Sequence, residues 1–265
     1  MIVDHTNRRV LDVLESREKA AVVKFLRESQ ESGLLANVIE VTSDMWDGYV
    51  EAAREVFGPS VTLTIDRFHV MKNLQDRLTA ARREIQRDLP ESEARELKGS
   101  RWLWLTNPEN LEEEQRQRLT ELKSQFPRLA QLADQREALR QLFDDRSLTT
   151  AAAGSARLTD WLTAARALGL AALNKFCDTL QRWQDKIANY FVSRSSNGPT
   201  EGFNNGLRTI LRRTFGMLNF RHFRLRVLDR FGKPQTQEST WLEENPFTMR
   251  SNTARRCCVL FHPRC

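Results

Sequence analysis

Residues 38–66 read VIEVTSDMWDGYVEAAREVFGPSVTLTID. Val38-Ile-Glu-Val41 is short and β-branched, which predicts a strand. Trp46, Tyr49, Val50, Ala53 and Phe57 recur at helical spacing, and Gly58-Pro59 stops that helix. Val61–Ile65 alternates apolar residues with threonine, strand chemistry again. The order strand, helix, strand reads as α/β. Asp44 follows the first strand and Asp66 ends the second, with His69 three residues on. Ligands of α/β sheets gather at the carboxyl ends of strands, so both acids are candidates for a site.

Upstream, Met1–Val3 and Val10–Leu14 are apolar runs separated by the polar turn His5-Thr-Asn-Arg8, a hairpin pattern. Ser16–Ser32 carries Val22, Phe25 and Leu26 at helical spacing and ends at Gly33. Downstream, strand signals are absent from Val70 to about Phe191. Helical stripes replace them: Leu111 to Phe126, Leu129 to Phe143, Leu158 to Leu168, and the cleanest at Leu173, Phe176, Cys177, Leu180, Trp183, Ile187 and Tyr190. After Gly232 the chain turns polar and loses periodicity, so the tail to Cys265 is expected to be irregular. Its Cys257, Cys258, His262 and Cys265 are a poor zinc set, because adjacent cysteines chelate one tetrahedral ion badly.

The chain has 265 residues and a net charge of +6. Between Arg194 and Arg230 lie eight arginines and no lysine against only Glu201 and Asp229, so this segment alone accounts for the excess. Arginine forks match phosphate oxygens bidentately, which points to a nucleic acid. Hydrophobic residues make up 40% and charged residues 29%, a globular composition. No run approaches 18 apolar residues and no signal-peptide core opens the chain, so neither a membrane span nor export is expected. Four cysteines cannot staple a fold of this size, which suggests a reducing cytoplasm.

Glu201 follows Pro199 and opens the arginine-rich helix. With Asn204 or Asn205, Arg208 and Arg212 it falls at i, i+3/4, i+7 and i+11, one stripe of that helix. That face suits a metal ligand with phosphate binders beside it. Asp44 and Asp66 also read as N-caps, and Glu201 as a first-turn carboxylate offsetting the helix dipole. Converging carboxylates would hold Mg²⁺, which prefers oxygen ligands, and two such ions suit phosphoryl transfer.

The segments Val41-Thr-Ser-Asp44-Met-Trp-Asp-Gly-Tyr49, Ile65-Asp66-Arg-Phe-His69-Val and Ser196-Asn-Gly-Pro-Thr-Glu201-Gly-Phe-Asn204-Asn205 together resemble transposases of the ISL-three insertion-sequence family. Arg212-Arg-Thr-Phe215-Gly216-Met-Leu-Asn219-Phe220 fits as well. The resemblance implies an RNase H-like core of the Asp-Asp-Glu (DDE) type over 1–69 (strands two to five), an all-α insertion over 70–192, closing Glu-bearing basic helices over 193–231 and an irregular tail over 232–265. It implies Asp44 and Glu201 as catalytic and metal-binding residues, Asp66 and His69 as a motif near the site, and Arg208, Arg212, Arg213, Asn204 and Asn205 as DNA contacts. It further implies Mg²⁺ or Mn²⁺ in a two-metal site, transposon-end and target DNA as partners, self-association, and a bacterial, nucleoid-associated location. Of the insertion's tryptophans, Trp102, Trp104, Trp161 and Trp183, the last two lie on apolar stripes and read as core.

An RNase H-like sheet has three antiparallel strands before its first helix, and its first strand carries the first catalytic Asp. Only two precede the helix at Ser16. The expectation is therefore a chain beginning one strand late, without that Asp or the family's zinc-binding and helix-turn-helix regions. Asp4 is a poor substitute, since it lies beside the turn. The expected function is DNA cleavage and strand transfer in a truncated, impaired form. The alternatives are an inactive remnant that only binds DNA and an RNase H-like nuclease acting alone.

Overall fold

A computed structural model describes residues 1–195, 198–214, 219–233 and 255–259, the last by backbone alone. The expected motif residues Ser196, Asn197, Phe215 and Gly216 lie outside them. The chain separates into two compact units, Met1–Asp66 with Ser195–Cys265, and Arg67–Arg194.

The first unit opens with a hairpin, β1 (Ile2–Asp4) and β2 (Arg9–Asp12), closed by a turn in which Arg8 takes a left-handed φ of 48°. Helix α1 (Lys19–Glu31) follows, then β3 (Val38–Ser43), α2 (Asp47–Phe57) and β4 (Thr62–Ile65). β3 pairs β4 in parallel, matching Val41 with Leu63 and Ser43 with Ile65. The sheet separates two apolar layers. Ile2, Val41 and Leu63 pack with Val22 and Leu26 of α1 and Tyr49, Ala52 and Phe57 of α2. Met1, Val3, Val10 and Val13 pack with Phe203, Leu207, Phe223 and Val227. The alternation of Ile2 and Val3 between these layers is the two-residue period of a strand buried on both sides.

The second unit, described by itself, is all helix among the described residues. Its helices are α3 (Arg67–Arg87), α4 (Glu91–Glu96), α5 (Arg101–Leu105), α6 (Glu113–Gln125), α7 (Pro127–Asp144), α8 (Ala151–Arg166), α9 (Ala171–Ala188) and α10 (Tyr190–Ser193). The apolar stripe read from Leu173 to Ile187 is the buried face of α9. Trp161 and Trp183 are buried, and the Trp161 indole donates to the Gln135 carbonyl at 2.9 Å. Gly154 of α8 lies under the Phe191 ring, where an added Cβ would come within 2.1 Å of a ring carbon.

Helices α11 (Gly198–Arg213) and α12 (Phe220–Phe231) return to the first unit and cover β1 and β2. The tail then departs from the sequence expectation. Residues Arg255–Val259 form a strand, β5, inserted between β1 and β3, so the sheet order is β2-β1-β5-β3-β4. β5 runs antiparallel to β1, matching Asp4 with Cys257 and Ile2 with Val259, and parallel to β3, matching Val41 with Cys257. Five residues are too few to show a period against a polar background. What recruits them is the pair of flanking strands, whose inner edges otherwise expose unpaired N–H and C=O groups.

Candidate active site

Asp44 stands one residue beyond β3, and Asp66 one residue beyond β4. The two loops are tied together: the Asp66 N–H donates to the Ser43 carbonyl at 3.1 Å. Asp66 is fully buried. Asp44 is not the N-cap of α2. That position belongs to Trp46, without a side-chain cap, and Asp44 contributes only its backbone carbonyl to the Trp46 N–H at 2.9 Å. Its Oδ1 is buried and receives no hydrogen bond among the described residues. Burial raises its pKa from 3.8 to about 6, against the opposing pull of the Arg17 guanidinium. A carboxylate held at such cost without serving as a cap is the pattern of a functional group. Arg17 lies over the Trp46 ring, and Trp46 meets Tyr49 edge-on at 4.3 Å, which closes this side of the strand end.

Glu201 occupies the first turn of α11 and is partly buried. The helix is seated by its neighbours. The Thr200 hydroxyl is 3.0 Å from His5 Nε2, and Phe203 and Leu207 enter the apolar layer on β1 and β2. Burial lowers the His5 pKa to about 4 despite the nearby acids Asp4 and Glu40, so this imidazole is neutral at pH 7. The buried side of α11 is Thr200, Phe203, Asn204 and Leu207. The outward side holds Asn205, Arg208, Arg212 and Arg213, and Arg208 Nη1 donates to Asn205 Oδ1 at 3.4 Å.

This seating divides the expected DNA contacts between the two sides of the helix. Asn204 is 5% exposed, on the buried side of α11 with Phe203. Its Oδ1 receives no hydrogen bond among the described residues. Of the two asparagines near the Glu201 stripe, Asn205 is the exposed one. Two of the eight arginines are also engaged internally. Arg224 of α12 grips Asp12 through Nε and Nη2 at 2.5 and 2.8 Å. Arg194, in the second unit with φ 53°, donates to the carbonyls of Phe143, Asp145 and Leu148. Charge counting could not separate these from phosphate binders.

Asp4 is bound to its own turn: it accepts from Asn7 N and Nδ2 at 3.0 and 2.6 Å and faces Arg9 at 3.6 Å. Across β5 its row is that of Val41, three residues short of Asp44 and so roughly 10 Å away along the strand direction. His69 lies on the first turn of α3, in the second unit, with its pKa lowered to about 4 by burial and then by Lys72.

Sequence reading passed over Glu40. It lies in mid-β3 at 3% exposure and accepts hydroxyl protons from Thr64 and Ser195, both at 2.6 Å. The available signal was an acid inside a β-branched run. Among the described residues no group of three or more His, Cys, Asp or Glu side chains stands close enough to hold a metal ion. The oxygen donors are of the right kind for Mg²⁺, yet the described residues fall short of a complete two-ion set.

The model of the DDE transposases of the ISL3 type, described as transposase, matches residues 1–227. The chain belongs to this transposase family. It is 28% identical over 233 residues to the transposase for insertion sequence element IS1001 of Bordetella parapertussis, covering 86% of this chain and 55% of that protein. The chain thus spans about half the length of this curated relative. No solved structure matches. Among the described residues no helix is long and apolar enough to cross a membrane.

Proposed function

We propose that this transposase chain is an RNase H-like catalytic region that binds DNA through the outward arginines of α11 and carries out cleavage and strand transfer at a much reduced rate. The observation behind the reading is positional. Asp44 directly follows β3 with an unsatisfied buried oxygen, and Glu201 opens the helix that covers the same sheet. Asp44 and Glu201 are the oxygen ligands this chain offers to the divalent ion, Mg²⁺ or Mn²⁺, on which such chemistry depends. The reduced rate follows from β5. The strand beside β3 reads Arg-Arg-Cys-Cys-Val and brings no carboxylate to the centre of the sheet.

Two measurements test this. Binding to a transposon-end duplex should weaken with salt, and Arg208→Ala and Arg212→Ala should each lower the log–log slope by about one unit. An unchanged slope removes the phosphate-binding role. In a joining assay with Mn²⁺, trace product should vanish in Asp44→Asn and in Glu201→Gln. Product that survives both overturns the residue assignment. A second reading, a remnant that only binds DNA, draws on the lack of a three-ligand group among the described residues. It predicts salt-dependent binding with no product at any metal concentration.

A further inference from the structure

Helix α5 turns two tryptophans in opposite directions, as residues two apart on a helix must be. Trp104 is 6% exposed, with its indole N–H on Ser100 Oγ at 3.1 Å, and Ser100 in turn donates to the Leu97 carbonyl at 2.8 Å. This chain of bonds anchors the short helix. Trp102, on the other side, is 65% exposed. A single exposed aromatic is ordinary, but this one has cations around it. The Arg101 guanidinium lies 4.7 Å from the centre of the Trp102 ring. Arg82 of α3 is close enough to Arg83 and Arg101 that, after burial, those two charges depress its pKa. Arg82 Nε is buried without an acceptor among the described residues, and only its Nη1 is engaged, with Gln86. Two acids of this stretch are engaged elsewhere: Glu84 receives the N–H groups of Ala171 and Ala172 at the start of α9, and Glu91 pairs with Arg95. Arg101 thus stands against an open indole, and Arg82 lies within charge–charge range of both Arg101 and Arg83.

We infer that Trp102, with Arg82, Arg83 and Arg101, is a second nucleic-acid contact, one that holds an unpaired nucleotide of a DNA strand. The inference rests on the proposed DNA-binding function and adds to it a site on the all-α unit. The cations supply phosphate attraction, and the indole supplies a stacking face. Only an unpaired base has faces to offer, since bases inside a duplex are already stacked, so the site selects single-stranded segments over blunt duplex.

The test uses the full chain and fluorescence anisotropy with two labelled probes, a blunt duplex and the same duplex carrying a short single-stranded 3′ tail. Trp102→Ala should weaken binding of the tailed probe about ten-fold and leave the blunt probe unchanged, because one base stack is lost. Trp102→Phe should retain most of the affinity. Arg83→Ala and Arg101→Ala should lower the salt slope for the tailed probe alone. Equal loss on both probes, or no loss in Trp102→Ala, overturns the proposal, as does equal Trp102-dependent binding of polyglutamate, which would mark an acidic peptide site. Arg208→Ala with Arg212→Ala distinguishes this inference from the function it rests on. If that pair leaves blunt-duplex binding intact while Trp102→Ala still discriminates, the α11 reading fails and this one stands. All these side chains are exposed, and circular dichroism verifies that the variants fold.

Discussion

His5 shows how a partly buried side chain ties stability to pH. In the unfolded chain its pKa is near 6.5, and in the folded chain burial lowers it to about 4. Folding therefore favours the neutral ring. The stabilisation is complete above pH 6.5 and is lost as pH falls from 6.5 towards 4, by about 2 kcal/mol once the ring's partial exposure is allowed for. His69 titrates with the same sign in the other unit. Denaturant midpoints between pH 7.5 and 4 should fall steeply for the natural chain and less steeply for His5→Asn; identical slopes would remove His5 from the account. The arginines divide by the same physics. Arg224→Ala leaves Asp12, 7% exposed at its side chain, without its charged partner, and should cost about 2 kcal/mol. Arg208→Ala and Arg212→Ala remove exposed charges and should change stability by less than about 0.5 kcal/mol. Urea unfolding of the three variants checks this, and equal losses would show that Arg208 and Arg212 are structural too.

At the scale of elements, β5 departs furthest from the sequence pattern. Its neighbours β1 and β3 are not hydrogen-bonded to each other; β5 stands between them and pairs with both. A chain stopped after Lys233 should leave two inner strand edges open. The expected result is a loss of about 2–3 kcal/mol, roughly 5–10 °C in melting temperature, with increased self-association by light scattering. An unchanged melt would show that β5 contributes nothing to the sheet. The element read most completely from sequence was α9, because six of the seven residues read at helical spacing bury one continuous face of it. Helix α11 was read in part. Its spacing placed Glu201, Arg208 and Arg212 on one stripe, but periodicity alone does not say which side of a helix meets the sheet. Phe203 and Leu207 decide that, and Asn204 goes inward with them.

For the whole molecule, the unit Arg67–Arg194 carries its own core. Phe143 stacks on Phe191 at 5.7 Å, Trp161 meets Phe176 edge-on at the same distance, and Arg194 closes the unit by holding one carbonyl of the last turn of α7 and two just beyond it. Residues 67–194 produced alone should therefore be helical and melt in one cooperative transition, and Arg194→Ala should lower its midpoint. Circular dichroism and a thermal scan check both, and a broad, non-cooperative melt would show that this unit depends on the rest of the chain.

Sequence by itself determined the elements whose patterns are local: the hairpin at residues 1–14, the two strands around α2, the helical block, and the concentration of arginine after Arg194. Local patterns suffice there because strand and helix periods are properties of neighbouring residues. It also brought Asp44 and Glu201 forward together, through motifs that resemble a family to which the chain proves to belong. Tertiary structure alone decided the rest. It seated β5 between strands remote in the chain, paired Arg224 with Asp12 and Arg194 with three carbonyls, buried Glu40 between Thr64 and Ser195, and left Trp102 outward while Trp104 went in. The physical reason is the same in each case. Backbone edges, carbonyls and buried charges are satisfied by whichever group the fold brings near, and that choice depends on contacts between distant residues that no local period records.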